Sequence, residues 1–198
     1  NTGLFYNSML LVNYKFDVVQ QYNKQKLVPF GEFLPFESLL NKFGLKKITE
    51  GHGSFQKGNE KTNIKIDKLI FLPLICYEVI FTSLIQKANS ETNLIINISE
   101  DAWFGNTIGP NQHYSKSIFR AIESGTFFLR SANKGISGFL DPNGRSLKLL
   151  NIGESGNIEL NMPEFIGTTA YSLYGNKIFY LIIFLYMFLI LIFKKYKI

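Results

Sequence analysis

The chain has 198 residues and a formal net charge of +6, a length that suits one domain with a full hydrophobic core. Positive charge gathers around an apolar C-terminal segment, and no basic stripe with interleaved aromatic residues occurs elsewhere, so we expect no nucleic-acid partner. The single cysteine excludes an internal disulfide, and the two histidines stand alone, so we expect no metal site and no cofactor.

The first part of the chain predicts two strands followed by a loop, a short amphipathic helix and a second loop. Proline and glycine punctuate the first loop, and the second is polar and rich in glycine, as surface loops are. The expected elements are strands at residues 3–13 and 15–24, a loop from Leu27 to Phe36, a helix over Glu37–Phe43 and a loop over 45–63.

The middle of the chain alternates apolar runs with helical segments. The run from Leu69 to Cys76 is short and does not alternate with polar residues, which is typical of a strand buried on both faces, and 93–99 is similar. Buried strands alternating with helices predict an α/β layered domain. The other expected elements are helices at 79–90 and 110–124, a loop at 100–110, strands at 126–132, 135–140, 146–150 and 157–161, and a turn at 141–144.

The C-terminal segment from Ile178 to Phe193 is apolar on every face and predicts a membrane-spanning helix. It covers roughly 24 Å, and Tyr174–Lys177 extend it towards the roughly 30 Å of a bilayer core. A buried core helix is the alternative. The positive-inside rule places the tail Lys194–Lys197 in the cytoplasm. We therefore expect a catalytic domain over 1–170 on the opposite face, and a span with its basic tail over 171–198.

Cys76 ends a predicted buried strand, where open α/β sheets place reactive groups. A lone cysteine is more often an inert core residue, so a catalytic role requires groups that remove its proton and stabilise the thiolate. Lys24 is the first candidate, because an ammonium group beside the sulfur stabilises both the thiolate and the oxyanion of an acyl-transfer intermediate. The commoner role of a strand-end lysine is surface charge, and the chemistry alone does not exclude Lys26.

Two glutamates are candidate partners for these groups. Glu32 can hold the lysine through an ion pair. Glu78 can do the same, or it can position a substrate amine. Each is a plain surface carboxylate by default.

Four strings of residues resemble, in order and spacing, the bacterial apolipoprotein N-acyltransferases of the nitrilase superfamily. They are YNKQKLVPFGEFLPF, LICYE, NISEDAWFGNTIGPNQH and RAIESGTFFLRSANKGISGFLDPNG. The resemblance extends from about Gly3 through the final span. It implies a nitrilase-like α-β-β-α sandwich on the periplasmic side of the bacterial inner membrane, followed by a C-terminal transmembrane helix.

The resemblance also implies roles for individual residues. Lys24 and Cys76 match the lysine and the nucleophile of a Glu-Lys-Cys triad. Trp103 falls in a loop that the family places beside the mouth of the site, although a loop anchor packed on the core is an equal alternative. The implied supporting or substrate-positioning residues are Glu32, Tyr77, Glu78 and Trp103.

The glutamate of the triad, which is the general base, would precede Asn1. We therefore expect a sandwich that is incomplete at its N-terminus and a chain that is inactive by itself. The intact enzyme is expected to transfer an acyl chain from a phospholipid, through a cysteine thioester, to the N-terminal α-amine of a diacylglyceryl-cysteine on an apolipoprotein. The alternatives are a carbon-nitrogen hydrolase of the same superfamily, an amidase or nitrilase that uses water as the acceptor, and an inactive, truncated membrane-tethered module.

Overall fold

The computed structural model describes residues 4–44, 54–59, 63–86, 88, 91–161 and 167–195. Three short 3-10 turns accompany the regular elements, at Asn41–Phe43, Cys76–Ile80 and Ala102–Phe104. The strands are β1 (Ser8–Val12), β2 (Val18–Asn23), β3 (Ile64–Ile66), β4 (Leu69–Ile75), β5 (Leu94–Glu100), β6 (Phe127–Asn133), β7 (Ser137–Leu140) and β8 (Ser146–Leu150). The helices are α1 (Glu37–Leu40), α2 (Thr82–Ile85), α3 (Gly109–Ser124), α4 (Ala170–Tyr174) and α5 (Lys177–Lys195).

Strands β3 to β8 form one six-stranded sheet in sequence order, and β1 pairs with β2 in a separate hairpin. The central strands β4, β5 and β6 run parallel, while the pairs at either side are antiparallel. Parallel neighbours need crossover connections, which here carry α2 and α3. The carboxyl ends of the three central strands therefore meet at one edge of the sheet.

Alternate residues of β4 enter two separate cores. Leu72 and Leu74 pack on one face with residues of α2 and α3, whereas Phe71 and Ile75 pack on the other face with Tyr22 of the hairpin. A strand that is buried on both faces has apolar residues at successive positions. This explains why apolar and polar residues do not alternate along Leu69–Ile75. The sheet thus lies between helices and the hairpin, as expected for an α/β layered domain.

The structure confirms most predicted elements and corrects several. The helix expected over 79–90 is wrong, because the chain makes a 3-10 turn over Cys76–Ile80 and only a short α2. Strand β3 was not predicted, since its three residues are too few to show a pattern. No strand is assigned within Asn157–Asn161, where all residues are described. Most of the loop expected over 45–63 falls outside the described residues.

Helix α5 carries the apolar C-terminal segment. Its window Lys177–Lys194 is 18 residues long with a mean hydropathy of 2.2, and none of it is buried against the domain. A core helix would be largely buried, so that alternative does not fit. By length and composition α5 can cross a membrane, and the crossing itself stays a prediction.

Thr169 joins the end of α3 to the C-terminal helices. Its hydroxyl accepts a hydrogen bond from the Ser172 N–H at 3.0 Å, which caps the N-terminus of α4, and it donates to the Glu123 carbonyl. Gly125 ends α3 in the left-handed conformation at φ +67°, where a side chain is disfavoured. The start of α4 is thereby fixed to the sheet domain.

Candidate active site

Cys76 occupies a strained turn at the carboxyl end of β4. Its φ is +52°, a left-handed conformation that costs a non-glycine residue about 1–2 kcal/mol. The side chain is half-buried, and its sulfur lies 4.0 Å from the Glu100 carbonyl oxygen at the end of β5. Strain of this kind persists only where the surrounding structure enforces it, and it clusters at functional sites.

Lys24 follows β2 and is almost completely buried, with 1% of its surface exposed. Its ammonium donates to Glu32 Oε1 at 2.9 Å. The backbone is held on both sides, because the Lys24 N–H donates to the Asn7 carbonyl and the Lys24 carbonyl accepts from the Gly58 N–H, each at 2.8 Å. A buried lysine is stable only with a partner, so this is not the surface lysine that a strand end normally carries.

Glu32 supports Lys24 from the loop after β2. One carboxylate oxygen accepts from Lys24 and from Asn7 Nδ2 at 2.7 Å, and the other accepts from the Val28 N–H at 2.8 Å. The structure thus brings together the ion pair that the sequence allowed. Lys26 differs from Lys24, since its ammonium lies over the Phe81 ring, 5.7 Å from the centroid.

Glu78 is fully buried inside the turn that Cys76 begins. Its carboxylate accepts from the N–H groups of Ile75, Gln25 and Lys26 at 2.8, 2.7 and 3.0 Å, and from the Tyr22 hydroxyl at 3.0 Å. Burial raises its pKa, although these four donors oppose the shift. Lys24 therefore forms its ion pair with Glu32. Glu78 instead links Ile75, which precedes Cys76, to Gln25 and Lys26, which follow Lys24.

Tyr77 and Trp103 differ in their exposure to solvent. The half-buried Tyr77 ring packs edge-on against Phe81, with centroids 6.0 Å apart, and lies 6.4 Å from the His113 ring. Trp103 sits in the 3-10 turn after β5 with 67% of its surface exposed. An anchor packed on the core would be buried, which the exposed indole is not. A place for Trp103 at the mouth of the site stays a prediction.

A buried polar network was missed from the sequence, although polar residues inside apolar strands were its signal. Arg130 of β6 donates to Asn97 Oδ1 and, at 2.6 Å, to Asp101 Oδ2, and Asp101 Oδ1 lies 2.9 Å from His113 Nδ1. Burial alone would raise the pKa of Asp101, but the hydrogen bond with His113 and the charge of Arg130 lower it to about 2. The network contacts Cys76 through Asn97, whose side-chain amide donates to the Cys76 carbonyl at 3.2 Å.

In the described part of the chain, no group of three or more His, Cys, Asp or Glu side chains is placed to hold a metal ion. The arrangement instead offers a strained, half-buried thiol, a buried ammonium paired with a carboxylate, and a carboxylate that fixes their two segments. The thiol and the ammonium are two of the parts that acyl transfer through a covalent intermediate needs.

Comparison with known proteins relates this arrangement to one family. The family model for carbon-nitrogen hydrolases matches residues 1–163. Among curated proteins, an apolipoprotein N-acyltransferase from Rhodopseudomonas palustris is 36% identical over 191 residues, which cover 96% of this chain and 36% of the relative. The enzyme of the same name from Rickettsia typhi is 39% identical over 173 residues, covering 86% and 34%. The chain thus spans about a third of the length of these relatives.

Solved structures show the same fold at low identity. Nit3 from Saccharomyces cerevisiae, a nitrilase-superfamily member, matches with a TM-score of 0.56 and 18% identity over 76% of this chain and 51% of its own. An amidase of that superfamily from Nesterenkonia matches with a TM-score of 0.52 and 18% identity over 73% and 51%. The likeness establishes a nitrilase-like α/β fold.

Proposed function

Since the chain belongs to the carbon-nitrogen hydrolase family, we propose that Cys76 is the nucleophile of a membrane-anchored N-acyltransferase. The acyl donor is a phospholipid, and the acceptor is the N-terminal α-amine of a diacylglyceryl-cysteine on an apolipoprotein. The names of the curated relatives support this substrate class. The observation that carries the proposal is that Glu78 binds the N–H of Ile75 and that of Gln25 at once, which joins the residue before Cys76 to the residue after Lys24. From this link we infer that Cys76 and Lys24 act in one site.

In the first half-reaction, the Cys76 thiol loses its proton to a base and the thiolate attacks the ester carbonyl of the phospholipid. The carbon–sulfur bond forms, the ester carbon–oxygen bond breaks, and the lysophospholipid oxygen takes up a proton. The Lys24 ammonium stabilises the oxyanion of the tetrahedral intermediate, and Glu32 keeps that ammonium in place. The product is an acyl thioester on Cys76.

In the second half-reaction, the acceptor amine attacks the thioester carbonyl. The nitrogen–carbon bond forms, the carbon–sulfur bond breaks, and the amine proton returns through the base to the Cys76 sulfur. Both carboxylate oxygens of Glu32 and of Glu78 already accept hydrogen bonds from the protein. We therefore assign the base to neither, and the expected base is the triad glutamate that the family resemblance implies.

The proposed location follows from the substrates. Donor and acceptor both carry acyl chains that stay in the bilayer, so an enzyme anchored by α5 meets both at the membrane surface. The lysines that follow the apolar segment favour a cytoplasmic C-terminus and a domain on the periplasmic face of the inner membrane.

The test is a transfer assay with the protein expressed from its whole gene and reconstituted in lipid vesicles. Phosphatidylethanolamine with a labelled sn-1 acyl chain is the donor, and a diacylglyceryl-cysteine peptide is the acceptor. We expect amide-linked label on the peptide, none on the same peptide with an acetylated α-amine, and none with Cys76→Ala. Release of the label as free fatty acid at the same rate with and without peptide would instead indicate a hydrolase.

A further inference from the structure

Asn97 of β5 lies beneath the Cys76 turn and is fully buried. Its side-chain amide donates to the carbonyls of Leu74 and Cys76, each at 3.2 Å. Leu74 is the residue of β4 that lies opposite Asn97 in the parallel pair of β4 and β5. One amide group therefore spans the junction at which the regular strand ends and the left-handed Cys76 begins. Two hydrogen bonds across such a junction restrict the direction in which the following turn leaves the sheet.

Arg130 determines which way the Asn97 amide faces. A guanidinium group only donates hydrogen bonds, so the Asn97 oxygen must face Arg130 Nη1 and the amide nitrogen must face the two carbonyls. Arg130 is itself held by the Ile136 carbonyl, which accepts from Nε at 3.1 Å, and by Asp101. The buried Arg130 guanidinium thus fixes the orientation of the Asn97 amide.

The same network reaches the loop on the other side of the site. Asp101, which directly precedes the 3-10 turn carrying Trp103, accepts from Ser99 Oγ at 2.8 Å and pairs with His113. The His113 ring packs against Phe104 at 5.5 Å between centroids. The space is closely filled, because a Cβ at Gly135 would lie 2.2 Å from Asp101 Oδ2. The Cys76 turn and the Trp103 loop are therefore held by one connected set of side chains.

We propose that Asn97 and Arg130 are positioning residues for the nucleophile. They act through the Cys76 carbonyl, and they set the direction of the sulfur against the incoming carbonyl carbon. The proposal rests on Cys76 being the nucleophile of the proposed function. A displacement of about 1 Å at a reacting atom lowers the rate by about 100-fold, so the effect is measurable without any change in substrate binding.

The test uses Asn97→Asp in the protein expressed from its whole gene. This variant keeps the size and the Arg130 partner but places an acceptor against two carbonyl oxygens. The readout is the burst of p-nitrophenol from p-nitrophenyl acetate, which reports acylation of Cys76 without phospholipid or acceptor peptide. We expect the burst rate constant to fall about 10- to 100-fold, with the half-saturating ester concentration within about threefold of wild type.

The matched control is Tyr114→Phe, which removes a 2.8 Å hydrogen bond to Ser146 from another buried side chain that packs on the same sheet. A merely structural role would lower the burst as much in this control as in Asn97→Asp. Should Asn97→Asp fail to fold, Asn97→Ser replaces it. A serine hydroxyl donates to only one carbonyl, so the burst rate constant is expected to fall by more than about twofold from wild type.

Three results overturn the proposal. The first is a burst rate within about twofold of wild type in folded Asn97→Asp or Asn97→Ser, and the second is an equal loss in Tyr114→Phe. The third is a wild-type protein without any burst, because Cys76 is then no nucleophile. A normal burst without acyl transfer from phospholipid contradicts the proposed function alone, and the comparison of variants still decides the positioning role.

Discussion

At the scale of single residues, the structure separates groups that look alike in the sequence. Lys24 and Lys26 are two residues apart, and only burial and partners distinguish them: Lys24 is enclosed with Glu32, while Lys26 lies over an aromatic ring. Glu78 was foreseen as a partner of the lysine or of a substrate amine, yet it binds three backbone N–H groups and a tyrosine hydroxyl. Long-range hydrogen bonds of this kind leave no periodic signal in a sequence.

We predict that Lys24→Met and Lys26→Met affect acylation of Cys76 very differently. Loss of the Lys24 ammonium removes the group that stabilises the oxyanion, and the rate is expected to fall about 100- to 1,000-fold. Lys26→Met is the matched control and should stay within about threefold of wild type. Single-turnover acylation of the two variants by the same ester provides the measurement. Equal losses in both would show that neither lysine has the assigned role.

At the scale of elements, the candidate site lies at the carboxyl ends of β4 and β5 and at the end of β2. The apolar runs made the parallel strands predictable, and with them the place of Cys76 at a strand end. The 3-10 turn after Cys76 was not predictable, because it depends on Glu78 accepting the Ile75 N–H and on Asn97 donating to the Cys76 carbonyl. The second contact joins residues 21 positions apart, which no local pattern relates.

We predict that Glu78→Gln loosens the junction between β2 and β4. The amide has one acceptor oxygen, and its nitrogen would face an N–H donor, so one buried donor loses its partner. The expected cost is about 1–3 kcal/mol in the free energy of unfolding, together with slower acylation. Glu154→Gln is the control, since this exposed carboxylate also accepts a backbone N–H, from Asn151 at 2.6 Å.

Urea unfolding of the two variants, each compared with wild type, provides the measurement. The exposed Glu154→Gln should leave the free energy of unfolding close to that of wild type. If Glu78→Gln is as stable as wild type and acylates at the same rate, Glu78 does not hold the two segments together.

At the scale of the whole molecule, an α/β domain continues into an apolar helix of which no residue in Lys177–Lys194 is buried against the described part of the chain. The continuous apolar segment made this helix predictable from the sequence. The attachment of the preceding helix α4 through Thr169 to the end of α3 was not predictable, because a cap and a contact between distant residues depend on the folded domain. The attachment fixes the start of α4, and the domain is expected to rest near the bilayer surface.

We predict that the two ends of α5 lie on opposite sides of the inner membrane. Leu173→Cys and Lys194→Cys are compared in a cysteine-free background that includes Cys76→Ala. A membrane-impermeant maleimide added to spheroplasts should label the cysteine at position 173 at once. The cysteine at position 194 should react only after permeabilisation. Labelling of both before permeabilisation would contradict a membrane crossing by α5.

The most direct test of the account is whether Cys76 carries an acyl group during the reaction. The protein expressed from its whole gene is incubated with phosphatidylethanolamine at neutral pH, without acceptor peptide, and its intact mass is measured. The account predicts an acyl-sized mass gain that maps to Cys76, is released by hydroxylamine and is absent from Cys76→Ala. A folded wild-type protein with no adduct, or an adduct that persists in Cys76→Ala, would contradict acyl transfer through this thiol.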